Sequence, residues 1–340
     1  LMDRALHEAS YDRRREEHSR FNLTHPFLRR GIGVATFLHG SGFTGSGETH
    51  LASEVYADGL PDGRVEILTA QTDMGQGTTT ILAQIAADRL ELPPEQIVVS
   101  QPYTSRVPNS GPTVASRTAM VVGTLVEQAC DDMISKLDGD SSLRGGALQD
   151  DIRRWLAEHP LQSLRGIAKK RTPAELQWDD RTYRGDAYAA YSWAAYVGEV
   201  EVDLRSYQVR VTDFVAVQEV GRVINPTLAT GQVQGGVAQG IGWALYEDVV
   251  LEEGVMKNCQ MTNYVIPASS DLPPIRVFFE ETPSPYGPRG AKGIGEMPID
   301  GPAPAVINAV CEAVGRSINE IPLTPERLMI HLETGQHGNI

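Results

Sequence analysis

Four glycine-rich segments, each associated with the pattern of a helix, constrain the fold of this 340-residue chain most strongly. MGQG at 74–77, NSGPTVAS at 109–116 and AKGIGE at 291–296 each precede a run of apolar residues with helical spacing, while ATGQVQGGVAQGIG at 229–242 lies within such a run. Glycine-rich loops that lead into helices present backbone N–H groups at the positive end of the helix dipole, which favours anions. Four such segments in one chain predict a site for a large, polar, anionic ligand.

The stretches between these segments alternate between strand and helix patterns. Residues 65–69 alternate as in a strand, and the apolar residues of 81–90 fall on one helical face, which Pro93 ends. A strand hairpin is predicted with its bend at 203–207, and a last helix has Pro325 at its first position. This mixed order of elements predicts an α+β (mixed α/β) fold.

The helix predicted around 229–242 carries glycines near one face, at Gly231, Gly235 and Gly242. Because glycine has no side chain, it lets a second backbone come close to a helix. We therefore expect a packing contact along this face.

The charge and hydropathy of the chain limit its partners. A net charge of −14 argues against nucleic acid, because phosphate binding needs clustered lysines and arginines. The sequence has no run of about 18 apolar residues that would predict a transmembrane helix, and its first twenty residues lack the apolar core of a signal peptide. We therefore expect a cytoplasmic protein that does not enter a membrane.

The residues that usually bind metals are scattered. Cys130, Cys259 and Cys311 lie far apart, and we predict buried free thiols rather than disulfides or iron–sulfur ligands. The eight histidines show no HxH or HExxH spacing. A metal bound by this chain would have to be held by something other than its side chains.

None of the four segments matches GxGxxG or GxxxxGK[ST], which disfavours Rossmann and P-loop proteins. Polar side chains that can hydrogen-bond a heterocycle accompany the segments, at Gln76, Thr113, Ser116 and Gln232. This combination favours a large organic cofactor, with an ordinary phosphate-binding α/β enzyme as an alternative.

The motifs TDMGQGTTTILAQIAA, VPNSGPTVASRTAMVVG, INPTLATGQVQGGVAQGIG and AKGIGEMP resemble, in sequence and order, those of the molybdenum hydroxylases. This family contains xanthine dehydrogenase, aldehyde oxidase and nicotinate dehydrogenase. The resemblance extends to SYDRRREEHSRFN and RRGIGVATFLHGSGFTGSGE near the start of the chain. It implies the C-terminal half of the molybdopterin-binding large subunit, with two intertwined lobes and glycine-rich cofactor loops.

By this resemblance the chain divides into four parts. Residues 1–30 are expected to form a helical segment that packs on a partner or on the missing half of the subunit. The two molybdopterin-binding lobes are expected at 31–140 and 191–340, the second carrying the glutamate loop. A connecting insertion is expected at 141–190, with a flexible start before a short amphipathic helix.

In this family the molybdenum is held by the dithiolene of a pterin and not by side chains. The resemblance therefore implies molybdopterin, alone or as its cytosine dinucleotide, against the glycine-rich loops. The implied contacts are Gly75, Gln76, Gly77, Thr113, Val114, Ala115, Ser116, Gln232, Lys292, Gly293 and Gly295.

The same resemblance makes Glu296 the catalytic general base at the metal centre. Such a base works best with a pKa raised toward neutrality, which partial burial would provide. Gly293 and Gly295 would let the backbone approach the cofactor, and Met297 and Pro298 would exclude water and stiffen the loop. Considered alone, Glu296 would instead be expected to cap the following helix.

Phe43 and Thr44 match a Phe-Thr pair that contacts the substrate in the purine-oxidising members. An aromatic ring suits stacking on a flat heterocycle, and the alternative is a core phenylalanine beside a glycine-rich turn. Glu219 departs from the family pattern, which usually has aspartate at this turn, and no role is assigned to it.

The resemblance implies an enzyme that hydroxylates a purine or a related N-heterocycle with oxygen from water. Only half of the pocket is expected in this chain. The expected partners are a subunit with the first half of the molybdenum site, a 2Fe-2S subunit and an FAD subunit, in a dimer of heteromers. The alternatives are a nicotinate or aldehyde dehydrogenase of the same family and a non-catalytic assembly module, against which the intact Glu296 loop argues.

Overall fold

The computed structural model describes residues 1–137, 147–170 and 176–333, and the predicted mixed α/β class is confirmed. The helices are α1 (Met2–Glu8), α2 (Tyr11–Thr24), α3 (Gly47–Leu51), α4 (Thr78–Leu90), α5 (Gly123–Lys136), α6 (Ala147–Glu158), α7 (Pro226–Leu245), α8 (Met297–Asp300), α9 (Pro302–Val314) and α10 (Pro325–Glu333). The strands are β1 (Leu28–Gly40), β2 (Glu54–Gly59), β3 (Val65–Leu68), β4 (Ile97–Val99), β5 (Arg165–Lys169), β6 (Trp178–Asp179), β7 (Arg184–Gly185), β8 (Tyr191–Asp203), β9 (Gln208–Glu219), β10 (Leu251–Glu252), β11 (Val255–Met256) and β12 (Ile275–Glu280). None of the described helices combines the length and the apolar character needed to cross a bilayer.

The first lobe is a four-stranded sheet in the order β4-β3-β2-β5 with helices packed on it. β2 pairs antiparallel with β3 and β5, whereas β4 pairs parallel with β3. The apolar residues of α4 and α5 recur once per turn, so each helix buries one face, including Leu82 and Leu125. The core extends to α6 through Ile152. β3 leads directly into the MGQG loop, which places that loop at the edge of this lobe.

The second lobe is a four-stranded sheet in the order β1-β8-β9-β12. β8 and β9 form the predicted hairpin, and β12 adds to β9 in parallel. α9 packs on β1 and β8, and α7 lies beside α9. Gly33 permits this contact, because a Cβ there would lie 2.2 Å from the backbone nitrogen of Ala309. The helix backbone therefore rests directly on the strand.

The first lobe is inserted between two neighbouring strands of the second sheet. β1 ends at Gly40, and its register partner is Tyr191, where β8 begins. The structure thus differs from the expected boundaries, since 31–40 belong to the second sheet. β5, within the expected insertion at 141–190, belongs to the first sheet. The expected flexible start at 141–146 lies outside the described residues.

The N-terminal helices pack on the second sheet of this same chain. Ala5 and Ala9 are buried in a cluster with Val197 and Val215 of β8 and β9, and Glu199, whose side chain is 3% exposed, accepts from the Arg14 guanidinium. The expectation that residues 1–30 also pack on a partner or on a missing half stays a prediction. The outer face of the sheet is apolar, and these helices cover it.

The predicted packing face of α7 is closed only near the C-terminal end of the helix. A Cβ at Gly242 would lie 2.3 Å from the Glu247 carboxylate, whereas one at Gly231 or Gly235 would meet nothing within 4 Å. Within the described residues, no second backbone approaches Gly231 or Gly235. Their side of the helix is open.

The prediction of buried thiols is confirmed for Cys130 only. Burial raises the pKa of its thiol to about 12. Cys259 is exposed and Cys311 is half-buried. Cys259 lies in the connection between β11 and β12, in which most of the neighbouring residues are exposed.

Candidate functional site

Glu296 ends the AKGIGE segment and lies at the N-terminus of α8. Its backbone N–H donates to Ser116 Oγ at 2.9 Å, and the Ser116 hydroxyl donates to Glu296 Oε2 at 3.0 Å. Among the described residues, no donor reaches Oε1. Half of the side chain is exposed, at 50%, so this chain alone does not remove water from the carboxylate. One carboxylate oxygen is thus held, and the other is free to accept a proton.

The backbone at Ser116 has an unusual conformation, which fixes the direction of the side chain. Ala115 and Ser116 have φ values of 54° and 50°, a region that costs a non-glycine residue roughly 1–3 kcal/mol. The Gly42 N–H donates to Ala115 O at 2.8 Å and holds this turn. A Cβ at Gly293 would lie 2.2 Å from Ser116 O, so only glycine allows the AKGIGE segment to pack there. Contacts between distant segments therefore maintain the strained turn.

Two residues that the sequence did not single out surround the same carboxylate. His39 Nδ1 lies 2.7 Å from Asp300 Oδ2, and His39 Nε2 lies 3.4 Å from Glu296 Oε2. The hydrogen bond to Asp300 is the largest cause of a raised His39 pKa, and partial burial opposes it. Because His39 and Asp300 are 261 positions apart, no local sequence signal could have paired them.

The MGQG loop is ordered by Asp73, which the sequence reasoning missed. Its carboxylate accepts from the N–H groups of Thr79 and Gly75, each at 2.9 Å, and the bond from Thr79 is the largest cause of its lowered pKa. The Asp73 carboxylate thus occupies the positive end of the α4 dipole, where an anionic ligand was expected. An aspartate just ahead of a helix pattern is a capping signal that could have identified it.

The Gln76 side chain also turns back onto its own loop. Its Oε1 accepts from the Met74 N–H at 2.6 Å, and its Nε2 donates to Thr72 O and Thr78 Oγ1, each at 2.8 Å. The outward surface of the loop is therefore the 72%-exposed Met74 and Gly75, where a Cβ would meet nothing within 4 Å. Gly75 and Gly77 both have positive φ, as the tight loop requires.

Thr113 joins its glycine-rich segment to the residues just before the MGQG loop. Its Oγ1 accepts from the Thr72 N–H at 2.8 Å and donates to Gln71 Oε1 at 3.3 Å. The Gln71 amide in turn donates to Gly111 O at 2.9 Å. Val114 is 51% exposed, so Val114 rather than the Thr113 hydroxyl faces outward.

Lys292 is engaged within the chain. Its Nζ donates to Glu219 Oε2 at 2.5 Å and to Tyr191 O at 3.0 Å, and the two charged side chains are 11% and 7% exposed. Glu219 Oε1 also accepts from the Gly221 N–H. The positive charge of Lys292, which the family resemblance implies for cofactor contact, is therefore balanced by the Glu219 carboxylate. Lys292 ties the AKGIGE segment to the end of β9.

We expect Lys292→Met to lower the free energy of unfolding by about 2–3 kcal/mol, because it leaves the Glu219 carboxylate buried without its counter-charge. Denaturant unfolding of the variant measures this. Adding Glu219→Gln should recover part of the loss, since the second change removes the unpaired charge. A double variant as unstable as the sum of both single variants would contradict the pairing.

Gln232 of α7 lines a groove with Gln76, Ala119 and Ile294. No hydrogen bond of the Gln232 amide is found within the described ranges, so it is available to a ligand. The groove joins the MGQG segment, α7 and AKGIGE, and Ser116 joins the fourth segment through Glu296. The four glycine-rich segments thus meet on one surface.

Phe43 lines a neighbouring cleft of about 220 Å³ with Trp178 and Tyr188. Thr44 Oγ1 and the Tyr188 hydroxyl are 2.6 Å apart and share a hydrogen bond. No contact between Phe43 and Glu296 is found in the part of the chain that the structure describes. The turn before Phe43 connects the two places, because the Gly293 N–H donates to Ser41 Oγ at 2.9 Å.

Arg117 is a buried anchor that sequence reasoning missed. Its side chain is fully buried, and it binds the Glu48 carboxylate with two hydrogen bonds of 2.9 and 2.8 Å. It also donates to Ser110 O at 2.8 Å. Glu48 accepts from the Phe43 N–H, so Arg117 couples the strained turn at Ser116 to the Phe43 cleft.

Across residues 1–137, 147–170 and 176–333, no group of three or more His, Cys, Asp or Glu side chains could hold a metal ion.

The sequence model of one protein family, described as the molybdopterin cofactor-binding domain, matches residues 4–273. The aldehyde oxidoreductase of Megalodesulfovibrio gigas is 29% identical over 88% of the chain, which spans 32% of that protein. A putative xanthine dehydrogenase molybdenum-binding subunit of Escherichia coli is 30% identical over 88% of the chain, which spans 42% of that protein. The nicotine 6-hydroxylase large subunit of Paenarthrobacter nicotinovorans is 29% identical over 88% of the chain, which spans 40% of that protein.

The fold is also similar to solved structures. The aldehyde oxidoreductase of Desulfovibrio gigas superposes with a TM-score of 0.83 over 96% of the chain and 35% of its own, at 27% identity. The chain therefore spans less than half the length of the relatives it matches.

Proposed function

Because the chain belongs to the molybdenum hydroxylase family, as part of the large subunit that carries the molybdopterin cofactor, we propose that it forms one wall of the cofactor and substrate pocket. The wall is the surface on which the four glycine-rich segments meet. The pair of hydrogen bonds between Ser116 and Glu296 carries this proposal, because the carboxylate it holds keeps one free oxygen.

The residues of this wall fit a large polar group. Gly75 leaves open space above the MGQG loop, Val114 is exposed, and α7 is open along Gly231 and Gly235. The Gln232 amide supplies a donor and an acceptor. We assign the cofactor to the backbone of 75–77, 113–116 and 294–295 together with the Gln232 side chain, whereas the Gly293 backbone is already bonded to Ser41 and Ser192. The Gln76 and Lys292 side chains act by holding these loops in place.

Glu296 is assigned the role of general base. When bound, the cofactor supplies a molybdenum centre that accepts two electrons from the substrate. Glu296 accepts a proton at Oε1 as oxygen from water is added to the substrate, while Ser116 holds Oε2. Because Ser116 is fixed by its backbone, the carboxylate needs little reorientation during the reaction. The remainder of the large subunit is needed to exclude water from the half-exposed side chain.

The substrate is proposed to be a purine or a related N-heterocycle. Phe43 offers an aromatic face in a cleft beside the wall, which suits a flat ring. One relative is named for xanthine and another for nicotine, which agrees with a heterocycle. Since a third relative is named for aldehydes, an aldehyde is the second candidate.

The proposed partners are a chain or segment that carries the first half of the molybdenum site, a 2Fe-2S subunit and an FAD subunit. One relative is named as a large subunit and another as the gamma subunit of a dehydrogenase complex, which supports an assembly of several chains.

Metal and pterin analysis of the natively purified protein, with identification of the chains that co-purify, tests the proposal. We expect molybdenum, a pterin and at least one further subunit. Turnover of xanthine, hypoxanthine, nicotinate and a simple aldehyde would then separate the two substrate candidates. A folded protein from the native source without molybdenum and without turnover would favour the assembly module.

Phe43→Ala is expected to raise KM for a heterocyclic substrate about tenfold, the loss of roughly 1.4 kcal/mol of stacking, with kcat changed less. Steady-state kinetics of the assembled enzyme measure this. Phe27→Ala is the control, because Phe27 is 55% exposed, just before β1, and outside the cleft. An unchanged KM would remove Phe43 from the substrate pocket.

A further inference from the structure

His39 lies between two carboxylates, one of which belongs to the proposed base Glu296. It precedes the last residue of β1, and its ring bridges Asp300 Oδ2 at Nδ1, 2.7 Å, and Glu296 Oε2 at Nε2, 3.4 Å. Glu296 precedes α8 and Asp300 is its last residue, and the spacing of four residues places both carboxylates on the same face of this helical turn, toward His39. The three side chains form a continuous chain of polar contacts, Asp300–His39–Glu296.

The geometry of these contacts sets the direction in which a proton moves through the three side chains. With Nδ1–H donating to Asp300, the lone pair of Nε2 faces Glu296. Among the described residues, Asp300 and Glu296 are the charged groups next to the ring, and Asp300 first and then Glu296 raise the His39 pKa. The facing residue on β8 is the uncharged Ser192. His39 is therefore a base whose protonated form is stabilised by Asp300.

We infer that His39 takes the proton that Glu296 acquires in each turnover and releases it to solvent. The inference rests on the proposed role of Glu296. One proton leaves the Glu296 carboxyl group at Oε1 and reaches His39 Nε2 through water at the half-exposed side chains, the Glu296 carboxylate is regenerated, and the imidazolium then loses the proton to solvent. No electrons move in this step. His39 is 30% exposed, which gives the proton a way out.

His39 thus acts through Glu296 and is a positioning and proton-transfer residue that does not touch the substrate. Since neutral His39 is the acceptor, activity is present above the His39 pKa and is lost as the pH falls through it. The acid limb of kcat/KM should therefore lie at or above the ordinary histidine value of about 6.5.

Two substitutions in the assembled, molybdenum-loaded enzyme test this. Asp300→Asn keeps an acceptor for Nδ1–H but removes the charge, so the His39 pKa falls and the acid limb should move about one pH unit lower. His39→Ala should lower kcat about tenfold with KM within twofold, and added imidazole should restore kcat. His331→Gln is the control, because His331 forms a histidine–carboxylate pair with Glu320 on other elements.

A readout without turnover separates the inference from loss of activity. In enzyme labelled with carbon-13 at histidine Cε1, the signal lost in His39→Ala identifies His39, and Asp300→Asn should shift its titration to lower pH. If Glu296→Gln stays active, the proposed function fails. If Glu296→Gln is inactive but Asp300→Asn keeps the acid limb and imidazole restores nothing, the proposed function stands and the proton transfer through His39 is overturned.

Discussion

Glu296→Gln is expected to lower kcat of the assembled enzyme by about 10²–10⁴-fold, the usual contribution of a general base, while molybdenum and pterin content stay at the wild-type level. The amide has the size of the carboxylate and can still accept from Ser116, so the loop 291–295 should keep its position. It cannot accept a proton at neutral pH. Steady-state kinetics combined with metal analysis separate the loss of the base from the loss of the cofactor.

Glu16→Gln is the control for this variant, because Glu16 is 75% exposed and pairs with Arg20 on α2. It should match the wild-type enzyme in both measurements. Near-normal kcat in Glu296→Gln would exclude Glu296 as the base. Loss of molybdenum along with activity would instead assign Glu296 to cofactor retention.

Arg117→Ala is expected to lower the free energy of unfolding by about 3–5 kcal/mol, because it leaves the Glu48 carboxylate in a site from which water is excluded. The Ser110 carbonyl loses the shorter of its two hydrogen bonds as well, keeping the one from Gln71. Since Glu48 also holds the Phe43 N–H, the Phe43 turn should loosen. Denaturant unfolding measures the loss of stability, and limited proteolysis at 42–48 reports the loosening.

Arg89→Ala is a matched control for burial. Arg89 binds the Asp131 carboxylate with the same bidentate geometry, but the two side chains are 49% and 44% exposed. Its loss should cost less than about 1 kcal/mol, as for other surface pairs. Equal losses of unfolding free energy in the two variants would show that the burial of Arg117 does not determine the cost of removing it.

The elements that the sequence could predict are those whose signal is local. The hairpin of β8 and β9 and helix α4 follow from alternation and from apolar residues once per turn, since a pattern and the structure it specifies occupy the same few residues. Glu296 and Ser116 were found through motifs of the family. The capping role of Asp73 was within reach of the same local reasoning.

The rest depends on contacts between distant residues, for which a single sequence carries no signal. Lys292 has the charge expected of an anion-binding residue, yet its partner is Glu219, 73 positions earlier. The bridge from His39 to Asp300 is of the same kind. The pairing of β1 with β8 also escapes periodicity, because an alternating strand does not specify its neighbour. The lobe boundaries could not be predicted for this reason.

The insertion of the first lobe between β1 and β8 has a consequence for synthesis. About 150 residues separate the end of β1 from the start of β8, and a ribosome working at roughly 5–20 residues per second needs roughly 8–30 s to make them. During that interval β1 is outside the ribosome with its pairing edge open, a state prone to association with other chains. The first lobe is complete earlier, since its sheet closes at β5. We therefore expect nascent chains stalled when β5 has left the ribosome and β8 has not to hold a folded first lobe and to recruit chaperones to β1.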